Sequence, residues 1–434
     1  MIIVLLFCLM FLLMALGLPI SLSIGLPAIG LIMTPGVFPD GVAFSALGQT
    51  VVQQLFSGVD SFDLLAVPLF MLAGATMEVG GISRRLIDFC DSLVGWAPGG
   101  LAAACIVASM IIAGISGSAA ADTAAIGAVV IPAMIRQGYP AAFAAAVVAA
   151  GGAIGIIIPP SIPMVIFGFM TNISTSQLFA GGMLVGILMG LSFMTVAVWI
   201  SWRRGYGVRQ KFSGKQVLLT GKAALWSVGA PVVILGGILS GIVTVTEAAA
   251  LAVFYALLVG TVINKELPWK ELPGLIVRSQ VTAAAILFII AMAKIFGWLL
   301  AMQQSSRLLD VFVNSLALPP TGLLLLIMAM LLVVGCVMET TAALLLVVPV
   351  LALLTPQMQV DPVQFGVLVV VNLAIGMMTP PVGICLFVSC GIANVTLGKI
   401  SYAVIPLVVA AMFDLLIACL WPPLTMWLPT IIYR

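Results

Sequence analysis

Two acid–hydroxyl pairs stand in small, polar breaks of an otherwise apolar chain. Asp122-Thr123 ends the run Gly114-Ile115-Ser116-Gly117-Ser118-Ala119-Ala120-Ala121, and Glu339-Thr340 lies within Gly335-Cys336-Val337-Met338-Glu339-Thr340-Thr341. Their carboxylates and the hydroxyls of Ser116, Ser118, Thr123, Thr340 and Thr341 are hard oxygen donors of the kind sodium prefers. A second type of break is Gly155-Ile156-Ile157-Ile158-Pro159-Pro160-Ser161, which recurs 221 positions later as Gly376-Met377-Met378-Thr379-Pro380-Pro381-Val382. Pro159 and Pro160 supply no N–H, and each pushes its predecessor toward extended geometry, so the incoming helix cannot continue. Carbonyls of residues 155 to 158 then lose their helical partners; hydrocarbon cannot satisfy them, whereas a cation can. Pro160 suits the first turn of a restarting helix, whose N-terminal dipole and free N–H groups favour an anion. One break therefore offers a cation ligand set and an anion end. Ser161 follows the first proline pair, whereas Thr379 precedes the second and Val382 follows it, so the two sites are not expected to be identical.

Each feature also has a structural reading. A single diproline is explained by a packing kink, but its repetition with the glycine and both prolines in register argues for more. Asp122 and Glu339 suit the N-terminal turns of helices, a role compatible with a site. In Gly241-Ile242-Val243-Thr244-Val245-Thr246-Glu247-Ala248-Ala249-Ala250, Thr246 is expected to N-cap a helix with Glu247 in its first turn. Lys294 and Asp414 lie inside apolar runs, where pairing with each other and snorkelling both remain open. Asn172-Ile173-Ser174 and Asn394-Val395-Thr396 match a glycosylation acceptor pattern, yet they follow the two diproline segments equivalently and read as caps on the next helix.

These residues need a membrane framework. Of 434 residues, 63% are hydrophobic and 7% charged, against about a quarter charged in soluble proteins. Runs of about 20 apolar residues leave room for roughly ten to twelve helical spans plus shorter pieces, and they are too long for membrane barrel strands. The sequence has no histidine, which removes Ser-His triads, HExxH zinc sites and histidine proton relays; no Gly-x-Gly-Asp motif is present either, so an enzyme is not expected. Seven cysteines without a CxxC pair read as small buried hydrophobes, and a net charge of +2 carries no nucleic-acid signal.

Along the chain, residues 2 to 33 read as one retained span kinked near Pro19, without the basic start of a secretory signal. A partly amphipathic piece from Phe44 to Phe56 is followed by a span over 64 to 80 and a charged surface helix, Ser83 to Phe89. Residues 99 to 136 have arms too short to span and are expected as a re-entrant hairpin, followed by a broken span over 140 to 171 and a full span over 177 to 202. The second half repeats the order: spans at 223 to 243 and 246 to 264, an interfacial stretch Trp269 to Arg278, a span at 280 to 303, a surface piece Ser306-Arg307-Leu308-Leu309-Asp310, a hairpin over 320 to 355, a broken span over 363 to 395 and a last span over 401 to 428.

Arg203, Arg204, Arg209, Lys211, Lys215 and Lys222 lie in one loop without an acid, which places it in the cytoplasm. Counting spans outward puts Arg84, Arg85 and Arg136 inside with the N-terminus, Asp40, Asp60 and Asp63 outside, and the two hairpins in opposite orientations. Residues 1–222 and 223–434 thus read as an all-α inverted repeat, an architecture that holds substrate and ions near the midplane between its halves.

Four motifs in order, Gly114 to Ser118, Gly155 to Ser161, Gly241 to Ala250 and Gly376 to Gly383, make the whole chain resemble the large membrane subunit of tripartite ATP-independent periplasmic (TRAP) transporters, the DctM type. That resemblance implies an elevator-type secondary transporter of the bacterial inner membrane, in which a scaffold carries a mobile domain of two hairpins and two broken spans. It also implies a small four-helix membrane subunit, a soluble periplasmic binding protein, a sodium gradient and carboxylate substrates such as C4-dicarboxylates or sialic acid. The family pattern Thr-Pro-Thr-Glu has Val245 in the proline position here, a change expected to be tolerated. No helices precede residue 1 in this sequence, so the small subunit is expected as a separate chain. A self-contained sodium/dicarboxylate symporter is the alternative.

The expected sodium ligands are Ser116, Gly117, Ser118, Asp122, Thr123, Gly155, Pro159 and Ser161 at one site. At the other they are Gly335, Met338, Glu339, Thr340, Thr341, Gly376, Thr379 and Pro380. Ser118, Pro160, Ser161, Thr340 and Pro381 are expected to meet substrate. These stretches contain no arginine, so helix N-termini, hydroxyls and bound sodium are expected to hold an anion without a guanidinium clamp.

Overall fold

The computed structural model describes residues 2–34, 44–207, 212–303, 313, 315 and 317–433, whose regular elements are all helices, with no strand among them. In lipid a helix satisfies its own backbone groups, which is why the apolar runs take this form. Seven uninterrupted helices among the described residues are long and apolar enough to cross a membrane. The interrupted pairs account for most of the remaining apolar length.

The chain starts with α1 (Ile2–Ala15) and α2 (Ile20–Ile32). The single kinked span expected here is two short helices that pack on each other, because Gly17 turns with φ +84° before Pro19. The placing of the N-terminus in the cytoplasm assumed one crossing and does not follow from this pair. The amphipathic piece is α3 (Phe44–Ser57), which packs on α13 (Leu272–Met302). A short 3-10 turn, Asp63–Leu65, leads into α4 (Ala66–Val79). The chain then bends by 64° into α5 (Ile82–Val94), whose buried Ile82, Leu86, Ile87 and Cys90 lie on one face.

Two helix pairs follow, α6 (Gly100–Ser116) with α7 (Ala119–Arg136), and α8 (Ala141–Ile154) with α9 (Ile162–Thr171); α10 (Thr175–Arg204) completes the first half. The second half opens with α11 (Gly214–Leu239) and α12 (Val245–Leu257), extended by a π-helical turn, Leu258–Ile263. The expected interfacial stretch ending at Arg278 is mostly the first turns of α13, which runs unbroken for 31 residues. The Ser306–Asp310 piece lies outside the described residues, as do Asp40, Arg209 and Lys211. Then come α14 (Pro320–Val337) with α15 (Thr340–Met358), and α16 (Pro362–Met377) with α17 (Ile384–Ala393). The last expected span breaks at Trp421-Pro422 into α18 (Leu397–Leu420) and α19 (Pro423–Ile432).

Cap chemistry corrects two local readings. Thr244, not Thr246, caps α12: its hydroxyl accepts from the Glu247 N–H at 3.3 Å while its own N–H donates to Glu247 Oε2 at 2.8 Å. This Thr-x-x-Glu spacing is a capping box, which frees Thr246 to donate to the Phe62 carbonyl at 3.1 Å. Asn172 (φ +56°) and Asn394 (φ +51°) end the preceding helices α9 and α17, and Ser174 and Thr396 begin the next ones.

The innermost helices are α8 and α16. Every residue from Phe143 to Ile154 and from Val363 to Met377 is buried, as expected of helices apolar nearly all round; the two polar side chains, Gln364 and Asn372, donate to the Ala418 and Met328 carbonyls. Around them the packing is reciprocal. Helix α6 lies on α8 and α14 on α16; α7 lies on α17 and α15 on α9; α18 lies on α8 and α10 on α16. Helix α4 packs against both α12 and α13.

Candidate functional site

The first tip joins the first diproline break through a buried carboxylate. Gly117 (φ +66°) turns the chain between α6 and α7, and its Cα faces the break so closely that an added Cβ would lie 2.7 Å from the Pro160 carbonyl. Ser118 starts α7, with its N–H donating to Ser116 Oγ at 3.2 Å. One turn on, Asp122 is 2% exposed and its Oδ2 has no hydrogen-bond partner. That oxygen sits against Gly155, where an added Cβ would be 2.2 Å away. Thr123 Oγ1 donates to the Ala119 carbonyl at 2.7 Å. Across the cis Pro159-Pro160 bond, Ser161 donates to the Ile156 carbonyl at 2.5 Å and accepts from the Met164 N–H at 3.3 Å, capping α9. One of the carbonyls expected to need a cation is therefore already met by Ser161.

Backbone contact joins the second pair. A Cβ added at Gly376 would lie 2.5 Å from the Gly335 carbonyl carbon, and the Gly383 N–H donates to the Cys336 carbonyl at 3.0 Å. Met338 is the extended residue that ends α14. Glu339 is exposed and caps α15: Oε2 accepts from the Ala342 N–H at 3.1 Å and Oε1 from Thr341 Oγ1 at 3.0 Å. Thr340 is buried with Oγ1 2.8 Å from Met377 Sδ. Thr379 Oγ1 donates back to the Ile375 carbonyl at 2.6 Å, just before the cis Pro380-Pro381 bond.

Two cavities bring these parts together. One, of about 310 Å³, lies between both tips and reaches Gly117, Ser118, Ile156, Glu339, Thr341 and Met377. The other, of about 390 Å³, runs from Ser116, Ser118 and Asp122 to Glu78, Ser83 and Arg278. Met71, Ser118, Ile162 and Thr282 line both. Helices α4 and α13 thus wall the space that the tips face. A pocket reached by two helix starts, with hydroxyls, a buried carboxylate and apolar walls, can hold a small organic ion beside hard cations.

The DctM component of tripartite ATP-independent periplasmic transporters, as a family profile, matches residues 7–424. The chain belongs to that family. It is 39% identical over 412 residues to the isethionate TRAP transporter permease protein DctMQ of Oleidesulfovibrio alaskensis, covering 95% of this chain but 64% of that relative, under two thirds of its length. It is 38% identical to the 2,3-diketo-L-gulonate TRAP transporter large permease protein YiaN of Escherichia coli, over 88% of this chain and 89% of that one. The C4-dicarboxylate TRAP transporter large permease protein DctM of Pseudomonas aeruginosa is 37% identical, over 90% of each. In fold the chain is similar to the crystal structure of the Alcanivorax borkumensis YdaH transporter, with a TM-score of 0.68, 14% identity and coverage of 93% of this chain and 97% of that one.

In this DctM chain the expected residues fall into two tip–break pairs, and the smaller cavity connects them. Pro159, Pro160, Pro380 and Pro381 shape the breaks through the backbone. Lys294 and Asp414 do not pair: Asp414 Oδ1 accepts from Ser192 Oγ at 2.9 Å, and Lys294 Nζ stands 5.6 Å from the centroid of the Phe169 ring. Motif reading missed Glu78, Arg278 and Thr282, which reach the larger cavity from α4 and α13. Helical spacing was the available signal, since Arg278 and Thr282 share one face of α13. Cys385, fully buried on α17, fits the reading of the cysteines as small buried hydrophobes.

Proposed function

We propose that this chain is the large transmembrane subunit of a sodium-coupled, binding-protein-dependent secondary importer of organic acids in the bacterial inner membrane. The observation that carries the reading is the convergence of both hairpin tips, each tied to a diproline break, on cavities walled by α4 and α13. Sodium is held at the two tip–break pairs, one built around Asp122 and Gly155 to Ser161, the other around Glu339 to Thr341 and Gly376 to Pro380. The organic anion lies between the tips, against Ser118, Thr340 and the starts of α9 and α17. The two halves form an inverted repeat, a reading supported by the reciprocal packing of α7 on α17 and α15 on α9. The hairpins and broken helices move together past α4, α12 and α13 as an elevator. A small membrane subunit and a periplasmic binding protein complete the system, with a carboxylate or sulfonate substrate of the kinds for which the relatives are named.

The test is uptake by the large and small subunits together in proteoliposomes, with the binding protein outside and succinate, sialic acid and isethionate as probes. Uptake is expected to need both an inward sodium gradient and the binding protein. Equal uptake with potassium in place of sodium, or without the binding protein, overturns this reading; the latter result favours a self-contained symporter.

A further inference from the structure

The larger cavity has a floor and a mouth. Of its lining residues Asp122 is buried and Ser116 half-buried, which marks the floor, whereas Glu78 and Arg278 are exposed, which marks the mouth. On α13 the lining residues Leu275, Arg278, Ser279, Thr282 and Ile286 follow i, i+3, i+4, i+7 and i+11, a single stripe along the helix. Thr282 opens into both cavities, and Arg278 is one turn nearer the mouth, about 6 Å along the axis.

The charges along this path are uneven. Asp122 and Glu78 line the larger cavity and Glu339 the smaller, so three separate elements present carboxylates. Arg278 is the one cationic side chain among the described residues that line either cavity. No described acid forms an ion pair with it; the ion pair found among the described residues is Arg85 to Glu266, at 2.6 Å. An organic anion moving between tips and mouth passes acids on α4, α7 and the second tip, and a single guanidinium on α13. The flat fork of that group matches the two oxygens of a carboxylate or sulfonate.

We propose that Arg278 is an anion-binding residue of the path, engaging the acidic group of the organic anion between the hairpin tips and the mouth from the wall that α13 provides. The proposal rests on the functional reading above, which puts an organic anion in this space. It changes the expectation of an arginine-free site, which considered only the four motif stretches: the tips hold the anion through hydroxyls and helix starts, and the wall supplies the guanidinium.

The test uses the large and small subunits together in proteoliposomes, with Thr282→Cys as a reporter one turn from Arg278. Sulfonatoethyl methanethiosulfonate, an organic anion, and its trimethylammonioethyl counterpart are compared by their rates of modification at position 282, read by mass spectrometry. Adding Arg278→Gln is expected to lower the anion-to-cation rate ratio about tenfold, the order expected for one charge a helical turn away in a hydrated cavity. Arg278→Lys is expected to keep most of the ratio. An unchanged ratio in the Gln variant, or a Lys variant indistinguishable from Gln, overturns the proposal. If the ratio falls as expected while subunits that keep Arg278 and Thr282 show no sodium-driven uptake with the binding protein added outside, the importer reading falls and the anion site stands; if that uptake holds and the ratio does not move, this inference falls alone.

Discussion

The two tip–break pairs occupy equivalent places in the chain but are built differently. In the first, side chains meet the break: a buried carboxylate with an unpartnered oxygen lies against Gly155, and Ser161 ties the break to the restarting helix. In the second, backbones meet directly at Gly335 and Gly376, the acid is exposed and already serves as a cap, and the hydroxyl sits before the prolines. A buried carboxylate oxygen without a hydrogen-bond partner is costly in apolar surroundings and is relieved by a cation. The first pair should therefore depend on one charge, and the second on close fit and carbonyl geometry.

Substitutions can break or sharpen this contrast. The largest expected effect is on stability. Gly376→Ala sets a methyl against backbone that has no flexible end to move aside, and should destabilise the protein by about 3 kcal/mol, the upper end for overpacking. Thermal unfolding of the purified complex reads this, and a wild-type melt would remove the backbone-built account of the second pair. Next comes charge. Asp122→Asn should raise the sodium concentration for half-maximal uptake about tenfold or more, equivalent to about 1.4 kcal/mol, whereas Glu339→Gln should stay within about twofold because an exposed charge is screened. Equal effects at the two acids would erase the distinction. Smallest are the hydroxyls. Ser161→Ala removes a cap and leaves the buried Ile156 carbonyl without its partner, a loss of about 1–2 kcal/mol; Thr379→Ala loses only a bond back to its own helix, about 0.5 kcal/mol. Both should also weaken the sodium dependence of uptake, Ser161→Ala more; the reverse order would count against the contrast.

The breaks and tips were legible because proline, glycine and intramembrane acids are strong local signals. Helices end near Ile154 and Met377 because prolines 159 and 380 force them to, and the short arms of 99 to 136 are turned by Gly117. Features set by contacts between distant segments were not legible. Residues 2 to 33 form a uniformly apolar run, which does not distinguish a kinked span from two helices folded on each other. Trp269 to Arg278 reads as polar surface because of Lys270, Glu271 and Arg278, yet most of that stretch continues into the 31-residue α13. Lys294 and Asp414 each found a partner nearby, an aromatic ring and a serine, that no spacing rule proposes. The charged wall of the cavity escaped motif reading for the same reason, since Glu78 and Arg278 come to line one cavity with Asp122 only in the folded chain.

The reciprocal packing of the hairpins has a consequence for assembly. The second arm of each hairpin rests on the restarted helix of the opposite half, α7 on α17 and α15 on α9. Each hairpin also packs on the broken helix of its own half, but one face of its second arm is covered by the other half, so the first half leaves the ribosome with an apolar face whose cover has not yet been synthesised. Cutting the chain in the loop near residue 212 should therefore give two pieces that are each degraded when made alone and accumulate only when made together.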